Sequence, residues 1–104
     1  MIDYSMIIST FPDKKSAKSA AMLLVEKRLA ACVQLMPIES VYSWQGEICN
    51  EEEVMLLIKS KADLFREIAS AIKEAHTYEV PEIIQIPITD GFSEYLNWIG
   101  ENTK

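Results

Sequence analysis

The sequence predicts an α+β fold of the ferredoxin-like type, a split β-α-β unit with a long β-hairpin and a short C-terminal helix. Three observations carry this. Stretches with strand and helix periodicity follow one another in the order β-α-β-β-α-β-α. The middle of the chain, from Ala31 to Lys59, reads as two long extended runs meeting at Gln45-Gly46. Finally, 104 residues that are 49% hydrophobic and 25% charged suit one globular domain, taken as residues 1–104, rather than a disordered chain.

The first element spans Asp3 to Thr10. Tyr4, Met6 and Ile8 alternate there with an apolar Ile7, as in a largely buried strand. Phe11-Pro12-Asp13 breaks it, because proline brings no N–H to a ladder and Asp13 suits a helix N-cap. A helix from about Lys14 to Leu29 follows. Its Ala17, Ala20, Ala21, Leu24 and Val25 form one stripe, and three alanines let it lie close to a sheet. Lys14, Lys15, Lys18, Glu26 and Lys27 are its solvated face.

The hairpin comes next. Its first run is rich in β-formers (Val33, Val41, Tyr42, Trp44), and its second ends in the unbroken Val54-Met55-Leu56-Leu57-Ile58. Gly46 tolerates the positive φ that a tight turn needs. Each arm is about 13 residues long, against about 5–6 for a usual strand. At about 3.3 Å per residue an arm reaches on the order of 40 Å, more than a domain this small needs for itself. The excess reads as an oligomerisation arm; two ordinary strands joined by a long ragged turn are the plainer alternative. Pro37 marks an edge or a bulge, and Glu51-Glu52-Glu53 a solvated outer segment.

A second helix is expected over about Asp63 to Ala75, with Phe65, Ile68, Ile72 and Ala75 on one face. The linker His76-Thr77-Tyr78-Glu79-Val80-Pro81-Glu82 holds the only histidine. Ile83 to Ile88 is a last strand, with Ile84, Ile86 and Ile88 on one side and Pro87 suggesting an edge position. Asp90-Gly91 opens a short helix with Phe92, Tyr95, Leu96 and Ile99 in phase, and Gly100 is expected to stop it.

Charge and composition narrow the function classes. The net charge is −6, with lysines and arginines scattered, so no nucleic-acid partner is expected, and no membrane partner is expected either. No apolar stretch nears the roughly 20 residues that span a bilayer. The N-terminus, with an acid at position 3, does not read as a signal peptide. Cys32 and Cys49 are too few and too far apart for a disulfide framework or a CxxC zinc site. A cytoplasmic protein with reduced thiols is the expectation.

Catalytic signatures are absent. The chain has no GxSxG, no HExxH, and no glycine-rich phosphate loop, its glycines being only Gly46, Gly91 and Gly100. An acylphosphatase-type cradle would want an arginine where Thr10-Phe11-Pro12-Asp13 stands. A non-enzyme is therefore expected, with no obligatory cofactor. Candidate binding residues are His76, Tyr78 and Glu82 in the linker, and Cys32 and Trp44 in the hairpin. Imidazole and thiolate are natural ligands of copper and zinc. His76 reads equally as a polar residue past a helix C-terminus, and Cys32 as a small buried hydrophobe. Trp44 is an interface anchor or a core lid, and a buried Glu82 would call for a partner.

Several of these segments together resemble the CutA divalent-cation-tolerance family. They are Leu29-Ala30-Ala31-Cys32, Tyr42-Ser43-Trp44-Gln45-Gly46, Glu53-Val54, Lys59-Ser60 and His76-Thr77-Tyr78-Glu79-Val80-Pro81-Glu82-Ile83. The likeness runs through Tyr95-Leu96-Asn97-Trp98-Ile99. It implies a ferredoxin-like subunit, a tight homotrimer built by hairpin arms, a cytoplasmic role in metal tolerance, and copper or another divalent ion as ligand. In the family the linker usually reads His-Pro-Tyr, where Thr77 stands here. Some members carry a cysteine and a second histidine where this chain has Ser9 and Ala75, so a copper site of that composition is incomplete.

The expectations are then a metal site on His76, with Cys32 or a neighbouring subunit's group, and an intersubunit pocket of Trp44, Tyr78 and Glu82. The alternative is a PII-like trimer binding small signalling ligands, for which the Gln45-Gly46 turn looks too tight to be the long loop required. A sheet with both helices on one face leaves the other uncovered, exposing Val54, Leu56 and Ile58, or Met55 and Leu57. Such a face favours a closed oligomer, and the resemblance supplies the number three.

Overall fold

The computed structural model describes residues 2–104. Four strands, β1 (Tyr4–Phe11), β2 (Cys32–Trp44), β3 (Glu47–Lys61) and β4 (Ile83–Ile88), form one antiparallel sheet in the order β2-β3-β1-β4. Helices α1 (Lys14–Glu26), α2 (Phe65–Ala75) and α3 (Ser93–Glu101) complete the expected ferredoxin-like arrangement with its C-terminal helix. Pro37 and Pro87 lie in the two outer strands, where a missing N–H costs least.

Asp13 caps α1 by accepting the Ser16 N–H at 2.8 Å, and this bond holds its carboxyl below the usual value. The helix ends three residues before the predicted Leu29. Arg28 takes φ 57°, Leu29 N–H bonds Leu24 O at 2.9 Å and Arg28 N–H bonds Val25 O at 3.0 Å, which together make a Schellman ending. Leu24 and Leu29, both buried, supply its hydrophobic contact. A 3-10 turn, Ala62–Leu64, precedes α2, which buries Ile68 and Ile72 but leaves Ala75 exposed, outside the stripe expected for it. α3 runs through Gly100 rather than stopping there. That glycine serves a close approach: a Cβ would meet the Tyr4 hydroxyl at 2.8 Å.

Alternation along the strands sorts the sheet into two faces. Toward α1 and α2 point Ile7, Phe11, Leu56 and Ile58, all at most 1% exposed, with Ala17, Ala20, Ala21 and Leu24 of α1 against them. Thus Leu56 and Ile58 belong to the core, and the uncovered set is the one containing Met55 and Leu57. On that open face, register places Ile8 between Leu57 and Ile84, and Met36 opposite Met55. Met36 and Ile84 are 46% and 47% exposed.

The β1 ladder ends at Phe11 opposite Val54. β2 and β3 continue past it for seven rungs, from Ile38–Glu53 to Trp44–Glu47, as a two-stranded ribbon. At about 3.3 Å per residue the ribbon projects roughly 20 Å. It closes in a two-residue turn, with φ 50° at Gln45 and 81° at Gly46, the positive pair of a type I′ hairpin.

Candidate functional site

The functional candidates gather where the ribbon leaves the sheet and the linker from α2 crosses back to β4. His76 is locked by both ring nitrogens. Its Nδ1 accepts the Tyr78 N–H at 3.1 Å, so the ring proton sits on Nε2, which donates to Thr10 O at 2.6 Å. The ring also stacks on Phe11 at 4.3 Å and meets Tyr78 at 4.5 Å. A neutral imidazole in one tautomer therefore fastens the linker to the end of β1.

Tyr78 is thereby aimed at the ribbon. Its hydroxyl donates to Glu53 Oε2 at 2.8 Å, and Glu53 is only 7% exposed. Desolvation first, and the bond to Glu53 second, push the Tyr78 phenol well above the usual tyrosine range. One rung pair further out, Tyr42 donates to Glu51 Oε1 at 2.6 Å, and chiefly through that bond its phenol is pushed up to about 12. These groups border a cleft of about 750 Å³ that also takes in Trp44, Cys49 and Glu82.

The structure thus brings Trp44, Tyr78 and Glu82 to one cleft, and it keeps Cys32 apart from His76. Cys32 pairs with Lys59, beside Met6, whereas His76 holds Thr10, beside Met55. Four rungs at about 3.3 Å and two strand spacings of about 4.8 Å separate the places. Cys32 lies instead by Tyr95 of α3, whose phenol is raised by burial and by that thiol. Among the described residues no three of His, Cys, Asp and Glu come together as a metal site. With His76 bonded at both nitrogens, the donors of one subunit do not fit a resident metal on His76 and Cys32.

Sequence reading missed Tyr42, Glu51 and Glu53. Glu51-Glu52-Glu53 looked like one solvated run, but strand parity divides it: Glu51 and Glu53 share the cleft side with Cys49, and Glu52 faces away. That parity was available as a signal once Tyr42 and Trp44 were placed on the same face.

Fold and site together define a class: a ferredoxin-like subunit with a projecting ribbon, an open apolar sheet face, and a carboxylate- and aromatic-lined cleft at the ribbon's base. The model of the CutA1 divalent ion tolerance protein family matches residues 5–102, and the chain belongs to that family. The divalent-cation tolerance protein CutA of Thermus thermophilus is 42% identical over 99 residues, covering 94% of this chain and 96% of that one. Human CutA is 42% identical over 96 residues, but the chain spans only 54% of its length. Among solved structures, CutA of Archaeoglobus fulgidus superposes with a TM-score of 0.95 at 37% identity, covering 97% and 99% of the two chains. CutA1 of Oryza sativa superposes with a TM-score of 0.96 at 36% identity, covering 99% and 95%.

Proposed function

We propose that the protein works without catalysis, as a closed cytoplasmic homotrimer in tolerance of divalent ions, copper among them. Its membership of a family described by divalent ion tolerance supports the general role. The assembly rests on one observation, the open sheet face. Met6, Ile8, Met36, Ile38, Met55, Leu57, Ile84 and Ile86 carry it, and all are partly or largely exposed in the subunit. Each ~100 Å² of such surface buried contributes roughly 2.5 kcal/mol, more than a surface ion pair supplies. The ribbon, which outruns the sheet, is the arm that reaches a neighbour. The free edges of β2 and β4 add backbone groups that a closed ring hides.

Trp44, Tyr78 and Glu82 then lie at a boundary between copies, because the cleft opens on the ribbon that would reach across. Copper uptake through His76 or Cys32 requires donors gathered from more than one copy, since one subunit holds the two apart. Relatives are described as periplasmic in Archaeoglobus fulgidus and chloroplastic in Arabidopsis thaliana, so the compartment is a point to test directly. The functional test is complementation: in cells made copper-sensitive by loss of their own relative, the chain should restore growth in copper, and Leu57→Asp should not. Restoration by Leu57→Asp equal to the parent's would contradict an assembly-dependent role.

A further inference from the structure

Residues 101–104 are tied to the end of α1, to β3 and to α2. Arg28, just past α1, works in both directions. Its Nη2 donates to Glu101 O at 2.9 Å, and its own carbonyl accepts the Lys104 N–H at 2.9 Å. Lys61, the last residue of β3, donates from Nζ to Lys104 O at 3.2 Å and to Thr103 O at 3.4 Å. The Lys104 ammonium pairs with Glu67 of α2 at 2.9 Å. Thr103 is buried, its hydroxyl donating back to Ile99 O at 2.9 Å. Arg28 takes φ 57° without being glycine, a conformation that costs an ordinary residue free energy. The clasp that it makes with Glu101 and Lys104 offsets that cost.

The other end of α3 has no such fastening. Phe92, its N-cap, supplies no side-chain bond and is 72% exposed. Tyr95 and Trp98 stack on each other at 5.7 Å with much of both rings exposed, and Ile99 is the buried residue of the helix. Beneath it, Gly100 lies against the Tyr4 hydroxyl and the Tyr95 phenol meets the Cys32 thiol. The sheet is held quite differently, by continuous ladders and by Ile7, Leu56 and Ile58, which are fully buried. Elements with little buried apolar surface open locally, at a lower free energy than the core they rest on. With one side chain buried, α3 depends on the clasp beyond it. We propose that α3 is a strap over the Tyr4 and Cys32 end of the sheet, fastened by the clasp on Arg28, and that it lifts as a unit and uncovers the Cys32 thiol while the sheet stays folded.

The test combines amide hydrogen exchange of the native full chain with iodoacetamide alkylation read at each cysteine by mass spectrometry. Amides of α3 should exchange faster than those of β1 and β3. Arg28→Gly removes the guanidinium and leaves a residue at ease with φ 57°, so the end of α1 is kept. It should raise both α3 exchange and Cys32 alkylation about fivefold, with Cys49 in the ribbon and the β1 and β3 amides unchanged. Lys61→Met, which removes the second donor, should act in the same direction by about twofold. Exchange of α3 no faster than that of β1, Cys32 and Cys49 sped equally, or both variants alkylated at the parent's rate would overturn the strap. Cys32 alkylation that rises on dilution as the mass in light scattering falls would overturn it too, because a neighbouring copy would then be the cover.

Discussion

His76 shows how one side chain can be both the obvious ligand and a structural fastener. Two hydrogen bonds and a stack on Phe11 bind it to the subunit. Replacing it by alanine leaves Thr10 O and the Tyr78 N–H without partners, and should lower stability by about 1–3 kcal/mol in urea denaturation. A variant as stable as the parent would show that the linker is held by something else. The tyrosines give a pH signature. Both Tyr42 and Tyr78 have folded pKa values above the ordinary 10.0, so their contribution is complete below about pH 10. It is lost as pH rises through the folded values, about 12 for Tyr42 and higher for Tyr78. The urea midpoint should therefore fall above pH 10, and Tyr78→Phe should flatten part of that fall. An equal fall in parent and variant would remove Tyr78 from the account.

At the scale of elements, the chain's periodicities carried most of the fold. The alanine stripe of α1, the isoleucines of α2 and β4, and Gly46 at the hairpin turn all sit where their spacing puts them. What spacing could not show was where neighbours intervene. α1 stops early because Leu29 is drawn into the core with Leu24, forcing Arg28 to φ 57° in a place where no glycine announces an ending. α3 runs on through Gly100 because the residue lies against the Tyr4 hydroxyl, a contact between residues far apart in sequence. Gly100→Ala should accordingly destabilise the chain, by about 1–3 kcal/mol, although alanine is the better helix former. A stabilised variant would mean that Tyr4 moves aside freely. The site was legible in part for the same reason. Linker and hairpin tip stood out as aromatic and irregular, while Glu53 was hidden in a charged run whose burial depends on Tyr78 reaching over it.

The whole molecule is a subunit with one sheet face finished by α1 and α2 and another that α3 covers only at the end near Tyr4 and Cys32. Neighbouring positions on β3 separate the two. Leu56 is fully buried under the helices, so Leu56→Asp should prevent folding. Leu57 lies on the open face opposite Ile8, so Leu57→Asp should leave secondary structure intact and stop assembly. Circular dichroism distinguishes the pair, and a Leu57→Asp chain that assembles like the parent would clear that face of any role. The central claim is most directly tested by the mass of the unmodified protein in multi-angle light scattering at micromolar concentration. A single species of about three times the 11.8 kDa chain, persisting on dilution, is expected. A well-folded monomer at that concentration would contradict it.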